Sequence, residues 1–160
     1  MTKNKSIIIN VLFCIAAILG IMIIRTIFMP TIISGKSMEP HFKEKQLVIM
    51  HIYVDINRFD CITAKVDGKQ LFKRVIGLPG EKVEYKDNQL YINNTLIQDV
   101  FAVGKTEDFS ITLANDEYFC MGDNREVSKD SRHLGAFKSS QIIGKKNGGD
   151  YGKEKERSKS

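Results

Sequence analysis

The sequence predicts a mostly β protein in which an N-terminal transmembrane helix precedes a compact, β-barrel-like domain of short antiparallel strands. An almost wholly apolar run occupies residues 7–24. Short runs rich in β-branched and aromatic residues follow from residue 31, and turn residues such as Asp67-Gly68 and Asp87-Asn88 separate them. A chain of 160 residues with 42% hydrophobic content is large enough for one packed domain.

The first element is the apolar run at residues 7–24, which only Asn10 and Gly20 interrupt. As a helix it spans about 27 Å, and its extension to Met29 covers a bilayer with some tilt. Pro30 is expected to end the helix. No small-residue cleavage motif follows, so the pattern favours an uncleaved anchor over a cleavable signal peptide.

The charges around this helix predict its orientation. Lys3 and Lys5 precede it, and Arg25 stands alone near its other end, so we expect a cytoplasmic N-terminus. The protein is then a single-pass protein of the cell membrane with an extracytoplasmic domain. The predicted boundaries are a cytoplasmic segment at 1–6, an anchor at 7–29, an extracytoplasmic domain at 30–144 and a polar, disordered tail at 145–160.

The rest of the chain reads as short strands. The predicted strands are residues 31–33, 46–52, 60–64, 70–76, 82–85, 90–92, 109–113 and 117–121. Residues 82–85 and 90–92 flank Asp87-Asn88 and predict a hairpin. Residues 109–113 and 117–121 flank a short turn and predict a second hairpin. The one predicted helical turn lies at 139–143, and the polar composition beyond it predicts disorder.

Composition excludes several classes of partner and cofactor. The net charge of +5 fits attraction to anionic lipid headgroups. The basic residues are spread out without a basic-aromatic module, so no nucleic acid is expected as a partner. The histidines are far apart and no CxxC pair exists, so we expect neither a metal nor another cofactor. Cys14, Cys61 and Cys120 are interpreted as free thiols, with a Cys61–Cys120 disulfide left open for an oxidising compartment.

Two residues are candidates for covalent chemistry. Ser37 lies in the loop Ser34-Gly35-Lys36-Ser37-Met38-Glu39-Pro40, and a serine hydroxyl needs a base before it can attack. A lysine can serve if burial keeps it neutral, and Lys73 has the apolar neighbours Leu71, Phe72, Val75 and Ile76. From spacing alone, however, a turn serine and a solvated lysine are the simpler interpretation. The rival bases are His41, His51 and His133, which Asp123 or Asp130 could orient, although none lies in a known triad motif.

Three motifs resemble those of type I signal peptidases, the membrane-bound Ser–Lys proteases that remove signal peptides from exported proteins. Ser37-Met38-Glu39-Pro40 resembles the nucleophile box, and Lys73-Arg74-Val75-Ile76-Gly77-Leu78-Pro79-Gly80 resembles the lysine box. Gly122-Asp123-Asn124-Arg125, continuing through Ser128 to Asp130-Ser131-Arg132, resembles the third. Their order, their spacing and the preceding anchor agree with the family over residues 7–144. The single anchor and the short gap before the third box look like the Gram-positive branch.

The resemblance implies a role for each site residue. Ser37 attacks the carbonyl carbon before the scissile bond, and Lys73 takes its proton and later protonates the leaving amine. The Ser128 hydroxyl holds the lysine amine, and a salt bridge between Asp130 and Arg132 braces the site. The Ser37 backbone N–H is one oxyanion donor. Gly35 occupies the position where many Gram-negative members place a serine as the second donor.

The family also implies the substrate and the partners. Signal peptides of secreted preproteins, with small residues in an Ala-x-Ala pattern, bind as an extended strand between residues 31–35 and 70–72. The implied substrate contacts are Ile33, Met38, Gln70 and Phe72. The lipid bilayer is a further partner, and the secretion translocon is a candidate. Ile32, Ile33 and Phe42 fit either a membrane-facing apolar surface or ordinary core.

Departures from the family pattern leave alternatives open. His41 stands where the family usually has threonine. After residue 145 the chain turns polar where the family continues into an apolar strand, so we expect a domain that lacks its closing strand. That feature favours a catalytically weak or inactive homologue that binds signal peptides or partner proteins, whereas the intact Ser37 and Lys73 favour an enzyme. A soluble self-cleaving repressor-type Ser–Lys protease is disfavoured by the apolar segment.

Overall fold

The computed structural model describes residues 2–52 and 55–146, with the side chains of 2–4, 6 and 23–26 also left undescribed. Its elements begin with one long helix and continue with short strands. They are α1 (Thr2–Ile27), β1 (Phe28–Ile32), β2 (Leu47–His51), β3 (Cys61–Val66), β4 (Lys69–Gly77), β5 (Lys82–Lys86), β6 (Gln89–Ile92), β7 (Thr95–Ile97), β8 (Phe109–Thr112), β9 (Glu117–Met121), α2 (Ser131–Leu134), β10 (Phe137–Lys138), a 3-10 turn (Ser139–Gln141) and β11 (Ile142–Lys146).

The strands form two antiparallel sheets, which confirms the mostly β prediction. The larger sheet has seven strands in the order β1-β2-β11-β3-β4-β9-β10, and the smaller has four in the order β7-β6-β5-β8. In the described part of the chain the larger sheet is open, with β1 and β10 at its two ends. The expected closed, barrel-like arrangement is therefore not seen.

The N-terminal helix forms but ends earlier than the sequence predicted. α1 stops at Ile27 and β1 begins at Phe28, so the helix does not reach Met29. Pairing with β2 overrides the helical pattern, with Phe28 opposite His51 and Pro30 opposite Ile49. Proline is tolerated because β1 is an edge strand, where its missing N–H breaks no ladder. Among the described residues, no helix meets the length and hydropathy required to cross a membrane.

Turn chemistry correctly predicted the first hairpin. β5 and β6 pair around Asp87 and Asn88, which have φ angles of 50° and 61°. Left-handed conformations at both central residues are typical of a two-residue hairpin turn, and Asp and Asn tolerate them. Asn93 and Asn94 have φ angles of 49° and 65° and turn the chain from β6 into β7, a strand that the sequence did not reveal.

The second predicted hairpin is wrong. The chain does turn at Ala114, whose carbonyl accepts a hydrogen bond from the Glu117 N–H at 3.1 Å. The strands on either side then join different sheets, since β8 pairs with β5 whereas β9 pairs with β4 and β10. Phe109, Ile111 and Leu113 pack against the same apolar cluster as Phe119, so both strands contribute to one core without pairing.

A strand also forms where the sequence predicted none. The helical turn expected at 139–143 is present only as Ser139–Gln141, and β11 (Ile142–Lys146) then inserts between β2 and β3. Lys145 fits this interior position because its amine donates to Asp60 Oδ2 at 2.9 Å and to the Asp55 carbonyl. The further strand that the family resemblance implies beyond residue 145 falls mostly on residues that the structure does not describe, so its expected loss stays a prediction. The remainder of the predicted tail, residues 147–160, lies outside the described residues.

Strand β4 is an interior strand of the larger sheet, where it lies between β3 and β9. Cys61 on β3 is opposite Arg74, and Cys120 on β9 is opposite Val75 on the other side of β4. Two strand spacings of about 4.8 Å separate the cysteines, which is too far for a disulfide. Both thiols are free and buried. Burial raises the pKa of Cys61 to about 12 and also raises that of Cys120, so neither is a reactive thiolate.

Candidate active site

The loop that carries Ser37 is fixed from both sides. The Ile33 N–H donates to the Gln46 carbonyl at 3.0 Å, and the Ile33 carbonyl accepts from Lys45 at 2.8 Å. Gly35 has a φ of 82°, a conformation that favours glycine. Met38 is only 1% exposed, and its carbonyl accepts a bond from the Phe42 N–H at 2.9 Å. The loop therefore turns tightly and leaves Ser37 half-buried beside an anchored methionine.

Lys73 reaches this serine from an interior strand of the larger sheet. It lies on β4, directly opposite Ile62 of β3, and is only 4% exposed. Its Nζ is 2.6 Å from Ser37 Oγ. In the described part of the chain no histidine bonds to Ser37, and His41 and His133 instead face Asp123 and Asp130. The serine and the lysine, which are 36 positions apart, are the pair that the fold brings together.

The environment favours the neutral amine of Lys73. Burial is the largest influence and lowers the pKa of Lys73 from the ordinary value of 10.5. The carboxylates of Asp130 and Asp123 act in the opposite direction, since they stabilise the ammonium form. Burial prevails, so more of the Lys73 amine is neutral, and therefore able to accept a proton, than for a lysine in water.

The third motif packs directly against the Ser37 loop. The Asn124 N–H donates to the Ser37 carbonyl at 3.1 Å. A Cβ on Gly122 would lie 2.2 Å from Ser128 Oγ and 2.5 Å from the Ser37 carbonyl oxygen, both far too close. Only glycine allows this approach between the two segments, which explains the residue type at position 122.

Ser128 is deeply placed beside the pair but does not make the expected bond. It is 4% exposed, and its Oγ makes no well-formed hydrogen bond to a described residue, although it lies near enough to the Asp130 carboxylate to help lower the pKa of that group. The bond to the Lys73 amine that the family resemblance implied is therefore not formed in this structure. The hydroxyl nevertheless lies against the Gly122 backbone, close to the Ser37 carbonyl.

Asp130 organises the end of the third motif. Its carboxylate accepts a bond from the Gly122 N–H at 2.9 Å and forms a 2.9 Å ion pair with Arg132 Nε. Burial alone would raise the pKa of Asp130, but the bonds from Arg132 and Gly122 outweigh it and hold that pKa below its usual range. Arg132 also donates to the Arg125 carbonyl at 2.8 Å, so the loop between them is braced.

A second buried ion pair lies beside the site, and sequence analysis did not predict it. Arg74, the neighbour of Lys73 on β4, donates to both carboxylate oxygens of Asp123 at 2.7 Å. Its guanidinium carbon lies 3.6 Å from the centre of the Phe101 ring. The lysine and third-box motifs named both charged residues, but only the register of β4 against β9 could have indicated their pairing.

The residues predicted to bind substrate lie in two environments. Ile33, Met38 and Phe72 belong to one buried apolar cluster. Gln70 is exposed on β4, opposite Lys65. Phe42 is half-buried with its ring 5.2 Å from that of Phe72, so Ile33 and Phe42 are core residues. Ile32 differs from them, since it is 67% exposed.

Comparisons with known proteins agree over most of the chain. Residues 6–148 match the family model described as "Signal peptidase, peptidase S26". A protein of Bacillus subtilis (strain 168) named signal peptidase I V is 36% identical over 151 residues, covering 81% of this chain and 90% of its own length. The signal peptidase I of Bacillus amyloliquefaciens is 33% identical over 147 residues, covering 81% of this chain and 80% of its own length.

A solved structure shows the same fold. The crystal structure of a signal peptidase I from Enterococcus faecalis V583 aligns with a TM-score of 0.54 at 35% sequence identity. The alignment covers 59% of this chain and 98% of that one.

Proposed function

The chain belongs to the signal peptidase family, peptidase S26, and we propose that Ser37 and Lys73 are its catalytic dyad. As a member of this family the protein is a serine endopeptidase, a hydrolase that cleaves signal peptides from preproteins. The observation that carries the proposal is the 2.6 Å approach of the buried Lys73 amine to Ser37 Oγ. A serine hydroxyl becomes an effective nucleophile only when such a base can take its proton.

The proposed reaction has two halves. Neutral Lys73 accepts the Ser37 hydroxyl proton while Oγ forms a bond to the scissile carbonyl carbon. The tetrahedral intermediate collapses as the lysine gives that proton to the leaving amine, and the C–N bond breaks. A water molecule then loses a proton to Lys73 and attacks the ester. The acyl group leaves as a carboxylic acid, and the proton returns to Ser37.

The oxyanion is stabilised by the Ser37 backbone N–H in this proposal. That N–H makes no hydrogen bond to another described residue, so it is free to donate. Gly35 lies two positions earlier and brings no side-chain donor, and its φ of 82° serves the turn of the loop. Ser128 supports the dyad as a buried hydroxyl beside it, while Asp130 and Arg132 hold the segment that carries Ser128.

We propose that the signal peptide binds as an extended strand beside β4. The pairs of β4 with β9 begin at Arg74, so residues 69–73 of β4 pair only with β3 in the described part of the chain. This leaves backbone groups near Gln70 and Phe72 available to a peptide strand. Ile33, Met38 and Phe72 would form the apolar floor, on which small residues of the Ala-x-Ala type fit best.

We further propose that α1 anchors the enzyme in the cell membrane with a cytoplasmic N-terminus and an extracytoplasmic domain. The support is the apolar sequence at residues 7–24 and the exposure of side chains such as Ile9, Leu12 and Phe13 along the helix. Apolar residues on every side of a helix are typical of a segment that lipid surrounds. The secretion translocon, which delivers preproteins at the same membrane, is a candidate partner.

Incubation of the detergent-solubilised protein with a preprotein that carries an Ala-x-Ala site tests the proposal. We expect the wild type to release the mature protein, and Ser37→Ala and Lys73→Ala to release none while keeping their circular dichroism spectra. If the wild type fails to cut, the chain is instead a binding homologue. Cleavage by Lys73→Ala, together with loss of activity in a histidine variant, would make a histidine the base.

A further inference from the structure

One side chain of the Ser37 loop reaches the buried ion pair beside the dyad. His41 lies four positions after Ser37, and its Nδ1 is 3.1 Å from Asp123 Oδ2. Asp123 is completely buried, whereas the His41 side chain is 28% exposed. The histidine thus covers the outer side of a carboxylate that Arg74 already holds from within.

His41 completes a closed ring of contacts. Its ring meets the Phe101 ring edge-on at 5.4 Å, and Phe101 in turn lies 3.6 Å from the Arg74 guanidinium carbon. Arg74 binds Asp123 with two bonds, and Asp123 returns to His41. The ring joins the Ser37 loop, the strand that carries Lys73, the third motif and the segment around residue 101. No other residue of the Ser37 loop reaches this ion pair through its side chain among the described contacts.

We propose that His41 is a positioning residue that sets the distance between Ser37 and Lys73. Ser37 and His41 share one tight loop, and Lys73 and Arg74 are adjacent on β4, so the contact through Asp123 fixes one loop relative to one strand. The Asn124 N–H bond to the Ser37 carbonyl acts beside it. Small displacements of a nucleophile from its base are costly in rate, because proton transfer needs hydrogen-bond distance. This proposal rests on the dyad assigned above.

The contact predicts a loss in turnover without a loss of fold. In His41→Ala, Asp123 keeps both bonds from Arg74, so no buried charge is left unpaired and the melting temperature should stay near the wild-type value. The Ser37 loop loses its side-chain tether, and we expect kcat to fall about three- to tenfold, the equivalent of one modest polar contact. KM for a short peptide substrate should change less than about twofold, because the proposed substrate strand beside β4 does not contact His41 or the residues linked to it.

Three variants test the proposal against an internally quenched peptide with an Ala-x-Ala site. His41→Asn places an amide nitrogen near the position of Nδ1, and we expect it to keep at least half of the wild-type kcat. An asparagine cannot act as a general base, so this rescue separates positioning from base catalysis. His133→Ala is the matched control, because His133 also faces a buried aspartate but at 3.9 Å and with its side chain 54% exposed. We expect its kcat to be unchanged.

The outcomes separate this proposal from the assignment of the dyad. A wild-type kcat in His41→Ala, an equal loss in His41→Asn and His41→Ala, or a loss that follows a lowered melting temperature each overturns the positioning role. An equal loss in His133→Ala does the same. Ser37→Ala and Lys73→Ala are assayed in parallel. If either still cuts, the dyad itself is wrong, whereas inactivity in both with normal His41 variants removes only the role of His41.

Discussion

Lys73 is a titratable amine held where water hardly reaches. Burial disfavours its ammonium form and lowers its pKa, and the nearby Asp130 and Asp123 limit the size of that change. A solvated lysine is almost wholly protonated at neutral pH and could not act as a base. The site therefore gains a usable base by keeping one amine among apolar neighbours, at a cost in folding free energy.

This environment predicts how the rate depends on pH. We expect kcat/KM to rise with pH through a midpoint below 10.5, the ordinary lysine value, because only the neutral amine accepts the Ser37 proton. Activity should disappear as the pH falls through that midpoint. Lys73→Arg should be inactive across the range, since guanidinium keeps its proton. Peptide cleavage measured across the pH range tests this, and a midpoint at the ordinary lysine value contradicts it.

The lowered pKa of Lys73 also makes the stability of the folded protein depend on pH. Folded Lys73 binds its proton more weakly than unfolded Lys73, so between the two pKa values the unfolded state holds more protons. Its contribution to the free energy of unfolding therefore increases with pH through that window and is least favourable below it. Lys73→Met should remove this dependence, which urea denaturation at several pH values measures.

Ser128 offers a way to separate catalysis from folding. Its buried Oγ makes no well-formed hydrogen bond and has only a loose contact with the Asp130 carboxylate, so we expect Ser128→Ala to change stability little. Turnover should nevertheless fall, because the hydroxyl lies beside the dyad and would help to orient the Lys73 amine during the reaction.

Ser131→Ala is the matched control, since Ser131 Oγ accepts the Cys120 N–H at 3.0 Å and its loss leaves that buried donor unpaired. That variant should lose about 1–3 kcal/mol of unfolding free energy. Melting temperatures and kcat for both variants check the contrast. A fall in melting temperature for Ser128→Ala that accounts for its lost activity shows a structural role only.

Motif order was enough to propose Ser37 and Lys73 together, but it could not describe their surroundings. In the sequence, Phe72 and Val75 are both apolar neighbours of Lys73. Because side chains alternate along β4, however, Phe72 lies on the face of the strand opposite to Lys73. Phe72 joins the cluster around Met38, whereas Val75 joins that of Ile62, the residue opposite Lys73. The neighbours that bury the amine thus depend on strand register, which short apolar runs do not specify.

Among the elements, β11 decides whether the larger sheet is continuous. It lies between β2 and β3 and pairs with both, so without it β1 and β2 would lose their link to the rest of the sheet. The Ser37 loop joins β1 to β2. Sequence pattern missed this strand because its charged residue, Lys145, is satisfied by Asp60, a partner 85 positions away.

Two truncations test the importance of β11. We expect a chain ending at residue 146 to fold and to cut peptide at the wild-type rate, since β11 is retained. A chain ending at residue 141 should not fold, because removing an interior strand leaves two buried strand edges unpaired. Circular dichroism, thermal unfolding and peptide cleavage compare the two. A folded, active chain ending at 141 contradicts the role of β11, and inactivity of the chain ending at 146 assigns a function to residues 147–160.

At the scale of the whole molecule, three segments that are far apart in sequence meet beside β4. They are the Ser37 loop, the third motif and the segment around residue 101. The fold class followed from short strands and turns, and the β5–β6 hairpin followed from Asp87-Asn88. The division into two sheets did not follow, because β8 and β9 are adjacent in sequence and share a core without pairing. Local turn chemistry predicts neighbours along the chain, whereas partners across the sheet are selected by packing of the complete domain.

The position of the β domain relative to a membrane is also a property of the whole molecule. Ser37 follows closely after α1, which ends at Ile27, so an anchored α1 would hold the dyad near the bilayer surface. Lys3 and Lys5 outweigh Arg25 in the flanking charge, and positive flanks remain cytoplasmic. We therefore expect protease added to intact protoplasts to digest the domain that follows Pro30, with a cytoplasmic marker protein left intact. Immunoblotting with an antibody against the domain measures the digestion. Protection of the domain until the cells are lysed would reverse the topology, and recovery of the full chain in the soluble fraction would remove the anchor.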